Sequence, residues 1–234
     1  MMNTENLNQT SSEFTCEFCK REFKRERTLL SHSCRQKLRH QESLSPDGKL
    51  AFAVYDKFYQ QTQRKSKTWE QFAESPYYNG FTKFAKYIRS MDVVNPMLFV
   101  DWVIKNNIKL EYWAKDTTYE RYLTQLLANE SAANGIERTF HHMQEWAEEN
   151  NLTFEQYLYH ASTNKIVHDI ISGRISPWLL YGTKTGQEVL AKFNDEQVHL
   201  IIRYIDPAVW YDKIKEETDQ MEFVRSICGM AGIN

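Results

Sequence analysis

The spacing Cys16-x-x-Cys19, twelve residues, His32, one residue, Cys34 constrains this chain more than any other feature. Two cysteines two residues apart, followed after twelve by a histidine, have zinc-ligand spacing. Apolar residues stand around them: Phe14 two before Cys16, Phe23 four after Cys19, and Leu29 three before His32. A segment this short cannot bury enough surface to fold alone. Those residues make sense as a mini-core closed by a metal, whose binding free energy, about 10–16 kcal/mol, is in effect the folding free energy. Cys34 is the favoured fourth ligand. Residues i and i+2 do not share a helix face, so any helix carrying His32 must break or tighten near Ser33 for both to reach one ion. His40, eight residues after His32, is the reserve ligand and would need a returning loop. A metal-free segment would leave the cysteines as inert thiols.

The segment resembles the two-cysteine, two-histidine zinc-finger family, in which a hairpin carries the cysteines and a helix the histidines. The resemblance implies a small ββα zinc finger binding Zn2+ through Cys16 and Cys19 on the hairpin and His32 on the helix; Cys34 in place of a second histidine departs from the pattern. It also makes Arg25, Thr28 and Ser31 the base-facing positions, since family members read bases from the helix start. Arg25 could hold guanine bidentately, while Lys20, Arg21, Lys24 and Arg35 would contact phosphates, and Arg27 is a further nucleic-acid-binding position. The whole chain resembles uncharacterised zinc-finger proteins of T-even-type tailed phages, which carry one N-terminal finger ending His-x-Cys ahead of a helical body. In this chain Glu22 precedes Phe23, and Lys24-Arg25-Glu26 follows it. The second resemblance supports zinc, Cys34 as ligand and an intracellular phage setting in the host cytoplasm.

Charge separates the finger from the rest. Between Cys16 and His40 eight Lys and Arg face three acids, giving +5, so the remainder of the chain carries −7. A basic head on an acidic body places the grip on a polyanion at the head; the bland alternative is that short finger helices are basic for solubility. A hydrophobic content of 41% with 14% aromatics is ample for a core, and only 8 Gly and 5 Pro favour helices over a strand-rich sandwich. Cysteine usage argues for a reducing, intracellular compartment. The start of the chain lacks a signal peptide, and no apolar run approaches the ~18 residues of a membrane span, so a soluble protein with no membrane partner is expected.

The expected organisation is a disordered N-terminus (1–12), a zinc finger (13–35), a polar connector or frayed helical extension (36–44), and an all-α multi-helix domain (45–234). Ser45-Pro46 starts the first body helix. Helical patterns follow at about 68–74, 80–91, 96–106, 116–131, 133–150, 153–172, 176–181, 186–193, 195–205, 207–216 and 219–229. Thr68-x-x-Gln71 and Thr153-x-x-Gln156 read as capping boxes. Asp101–Glu111 lines up with Glu145–Glu155 at an offset of 44, each a helix ending at Asn. This is either a small solenoid repeat or two uses of one helix-junction grammar.

Glu137, His141 and Glu145, with His142 beside them, recur at helical spacing, but they lack the second Glu-x-x-His of a di-metal bundle and read as a solvated face. The six Trp residues (69, 102, 113, 146, 178, 210) read as core. No catalytic spacing stands out. The leading expectation is a zinc-dependent nucleic-acid-binding accessory protein, its finger on DNA or RNA and its helical body on a protein partner. An adaptor whose finger binds protein is the alternative, and an enzyme with an unrecognised site in the body comes third.

Overall fold

In the computed structural model, which describes residues 14–234, sixteen α-helices follow a two-stranded hairpin. The expected disorder of residues 1–12 lies outside the described residues. Strands β1 (Phe14–Thr15) and β2 (Glu22–Phe23) pair antiparallel with Phe14 opposite Phe23. The helices are α1 (Glu26–Leu30), α2 (Arg35–Leu44), α3 (Pro46–Gln63), α4 (Trp69–Glu74), α5 (Tyr78–Ser90), α6 (Pro96–Lys105), α7 (Leu110–Trp113), α8 (Asp116–Asn129) and α9 (Ala132–Asn150). After a 3-10 turn (Phe154–Gln156) come α10 (Tyr157–His160), α11 (Thr163–Ile171), α12 (Pro177–Gly182), α13 (Lys184–Leu190), α14 (Asp195–Ile201), α15 (Pro207–Glu216) and α16 (Thr218–Met230). Among the described residues no helix is long and apolar enough to cross a membrane. Contacts divide the chain into two units: residues up to Met91 with Ile108–Ala114, and Asp92–Asn107 with Lys115–Asn234.

The first unit is built on aromatic side chains. α3 and α5 pack side by side, and Tyr55, Phe72, Tyr78, Phe81, Phe84 and Trp113 are all buried. The Tyr55 and Phe81 rings meet edge-on at 5.3 Å, and Phe84 meets Trp113 at 5.1 Å. Each such side chain contributes about 1.5–3 kcal/mol by leaving water. Trp113 satisfies its indole N–H on the Ile108 carbonyl at 2.8 Å. Residues 35–44, expected as a polar connector or frayed helical extension, are helical throughout, and a polar face docks the helix. Arg39 donates to the Ala73 carbonyl and lies 4.0 Å from the Tyr78 ring centroid. The Tyr78 hydroxyl donates to Glu42 at 2.5 Å. A docking face made of Arg39 and Glu42 leaves no apolar stripe to read.

The second unit centres on α9, α12 and α16, which pack on one another. Trp178 and Trp210 are buried and meet edge-on at 5.2 Å. The expected helix over 153–172 is broken: Ala161 is extended, and the Ser162 hydroxyl caps α11 by accepting from Lys165 N–H at 3.2 Å. Both capping boxes are present, at Thr68/Gln71 and Thr153/Gln156. Ser45 caps α3 by accepting from Gly48 N–H at 3.0 Å. Asn107 and Asn151 both take the left-handed conformation, with φ of 53° and 55°. Of the tryptophans, Trp113, Trp178 and Trp210 are buried, and Trp69, Trp102 and Trp146 are half-buried.

Candidate metal centre

The hairpin presents Cys16 and Cys19 at its tip. Cys16 N–H donates to the Arg21 carbonyl, and Lys20 N–H donates to the Cys16 carbonyl, both at 2.9 Å. These bonds close a tight loop around Cys16–Lys20, and Lys20 takes a left-handed φ of 59° to complete it. α1 then runs only from Glu26 to Leu30; Ser31 caps its end, and His32 N–H donates to the Leu29 carbonyl at 3.0 Å. The helix therefore stops before either His32 or Cys34. His32 swings its Nε2 to 3.2 Å from Cys19 Sγ, and its ring lies 4.7 Å from the Phe23 ring. Cys34, in extended backbone, is the N-cap of α2: its Sγ accepts from Lys37 N–H at 3.4 Å.

The ligand atoms of Cys16, Cys19, His32 and Cys34 all lie within 4.8 Å of one another, the only such His/Cys/Asp/Glu group among the described residues. A tetrahedral zinc with Zn–S near 2.3 Å sets its sulfurs about 3.8 Å apart, so three thiols and one imidazole this close suit a metal ion such as zinc. His40 stands outside the group, its ring 5.1 Å from that of Phe18. The sulfurs are electrostatically unequal. The Cys19 backbone N–H, more than any other group, holds the Cys16 thiol below its ordinary range. For Cys19 the Arg21 N–H pulls down, but burial and the neighbouring Cys16 and Cys34 sulfurs outweigh it and the thiol sits higher than usual. A cation at the centre relieves the crowding of sulfurs. Phe14, Phe23 and Leu29 are each half-buried around this cluster.

The cations of the segment sort by burial. Lys20, Arg21, Lys24, Arg25, Arg27 and Arg35 are exposed, as are Thr28 and Ser31. Lys37 and Arg39 are half-buried and take structural bonds, Lys37 Nζ to the His32 carbonyl at 3.4 Å and Arg39 to Ala73. Arg25 is the uncapped N-cap position of α1 and Ser31 its C-cap. Comparison with protein-family models, curated proteins and solved structures gives no match.

In the second unit Glu137, His141 and Glu145 are exposed on α9, with His141 Nδ1 3.5 Å from Glu145. They border a cleft of about 660 Å³ that Val94, Leu98 and Leu126 also line. Beneath it lies a polar network that the sequence reading missed. Asp169 is fully buried and takes bonds from Lys165 Nζ (2.5 Å), Tyr157 Oη (2.6 Å) and His142 Nε2 (3.0 Å). Glu130, also buried, accepts from Arg138 and from Ser176 Oγ at 2.8 Å. The i, i+4 spacing of Lys165 and Asp169 was legible, but partners as remote in sequence as Glu130 and Ser176 were not.

Proposed function

We propose that the chain is a zinc-dependent nucleic-acid-binding accessory protein. Zinc on Cys16, Cys19, His32 and Cys34 would hold a small ββα finger, whose cations grip DNA or RNA while the helical body engages a protein partner. The observation that carries this reading is the sorting of cations around the cluster: six are exposed to solvent, Arg21 among them resting 5.6 Å over the Phe23 ring, while of the two half-buried ones Lys37 bonds the His32 carbonyl within the segment and Arg39 ties the segment to Ala73. The metal's role is structural. It fixes hairpin, α1 and the start of α2 in one arrangement, so Lys20, Arg21, Lys24, Arg27 and Arg35 are pre-set against a phosphate backbone and need not be ordered on binding. α1 has five residues, about 7.5 Å of helix. That is a short lever for Arg25, Thr28 and Ser31 to read bases, so phosphate contact supplies most of the affinity.

One observation favours a second reading, an adaptor whose finger binds protein: Leu30, Leu38 and Leu44 are 72%, 52% and 69% exposed. Filter binding of zinc-loaded and chelator-treated protein to RNA, single-stranded DNA and duplex DNA at low salt separates the two. Retention that needs zinc and falls steeply with salt is expected for nucleic-acid binding. No retention on any of the three sends the assignment to the adaptor.

A further inference from the structure

We infer that the nucleic-acid-binding surface does not end at the finger but continues onto the exposed face of α5, through Lys83, Lys86 and Arg89. This rests on the finger's assignment to nucleic acid, and it supplies what a lone finger lacks, since one finger spans only about 3 bp. The division of the chain into two units divides its charge as well. The first unit has seventeen Lys and Arg against eleven Asp and Glu, a net +6; the second has twelve against twenty, a net −8. Cys16–His40 supplies +5 of that +6, so outside the finger a basic surface has to come from a local cluster of cations.

Within that unit α5 stands apart. It contains Lys83, Lys86 and Arg89 and no acidic residue, and all three cations are exposed. Its opposite face, Phe81, Phe84, Ala85 and Ile88, is buried, which fixes the cations outward. Spaced at i, i+3 and i+6, they extend over about 9 Å, the span of two to three phosphates along one strand. The stripe is connected to the metal cluster through α2. Cys34 is the N-cap of α2, and Glu42, two turns on, accepts from Tyr78 of α5 and lies 3.7 Å from Lys86 Nζ. Arg89 pairs with Asp47 at 2.6 Å, half exposed. Exposed pairs of this kind are worth little, so both side chains can exchange a carboxylate for a phosphate. Tyr77, the N-cap position of α5, is 54% exposed and offers a ring for stacking an unpaired base.

The test uses full-length, zinc-loaded protein and labelled 20-nucleotide RNA, single-stranded DNA and duplex DNA, read by anisotropy across a KCl series. Lys83→Gln/Lys86→Gln/Arg89→Gln should weaken binding about tenfold or more at low salt and flatten the log–log salt slope by about 2. A control triple in the acidic unit, Lys184→Gln/Lys192→Gln/Lys215→Gln, should change affinity less than twofold. Amine acetylation of the unaltered protein gives a readout independent of folding: Lys83 and Lys86 should be protected by bound nucleic acid. If the α5 triple binds like the parent while Lys24→Gln/Arg25→Gln/Arg35→Gln loses binding, the finger acts alone and the extension is wrong. Equal losses in the α5 and control triples, or Lys83 and Lys86 equally reactive with and without nucleic acid, overturn it too. If the unaltered protein binds none of the three probes, the finger's own assignment falls and the extension with it.

Discussion

The Phe18 ring lies 5.1 Å from the imidazole of His40, so the histidine that could have completed the metal site packs against the hairpin instead. This contact ties the cysteine loop to α2 from the side opposite in sequence to Cys34. It separates two roles that the sequence left open. Cys34→Ser should lose the metal at stoichiometric zinc, whereas His40→Ala should keep full zinc content and loosen the loop against α2. Metal analysis after dialysis decides between them; full zinc in Cys34→Ser with loss in His40→Ala would reverse the assignment.

Lys20 holds a left-handed φ of 59° directly after Cys19. A non-glycine residue there stores about 1 kcal/mol of strain that glycine would release. Lys20→Gly should therefore bind zinc more tightly, by up to about fivefold in chelator competition, while removing one cation from the polyanion grip. Weaker zinc binding would mean that the Lys20 side chain supports the loop.

Chelation should unravel the hairpin and α1 while leaving the helices beyond α2 formed. α2 itself has two anchors: Cys34 at its start and the Arg39–Ala73 and Glu42–Tyr78 bonds further on. Its first turn should fray and its second half persist. Helical circular dichroism should fall only slightly, with hydrogen exchange rising over residues 14–38. A cooperative loss of all helicity would show that the metal cluster is needed for the core.

The grouping of Cys16, Cys19, His32 and Cys34 was legible because metal chemistry writes itself into spacing, and the capped helix starts at Ser45, Thr68 and Thr153 were legible because the capping side chain lies within three residues of its partner. Two kinds of feature were not. α2 is held by Arg39 and Glu42, whose partners Ala73 and Tyr78 are more than thirty residues away, so its polar sequence reads as a connector. The break at Ala161 is not legible in the periodicity, because the apolar pattern continues on both sides of the Ser162 N-cap. The division of charge between two units needed the fold, since Ile108–Ala114 joins the first unit across an intervening segment of the second.

Asp169 gives the acidic unit a pH dependence with a definite sign. Burial pushes its carboxyl up, but bonds from His142, Lys165 and Tyr157 more than offset this and hold it at about 2, against an ordinary 3.8. A depressed folded-state pKa contributes stability that is complete above the ordinary value and is lost as pH falls toward the folded one. That contribution, about 2 kcal/mol, should be intact at pH 5 and disappear between about pH 4 and 2. Asp169→Asn keeps the shape but removes the charge, leaving His142 and Tyr157 poorly paired, and should cost about 3 kcal/mol near neutrality. The gap between variant and parent should narrow in acid, where the parent's carboxyl is protonated too. Because a metal on the Cys/His cluster would also be displaced by protons in acid, the readout must lie within the second unit: hydrogen exchange of α9 and α11 amides. A variant as protected as the parent at pH 7, or a gap that does not shrink by pH 2.5, would mean that the buried charge does not stabilise this unit.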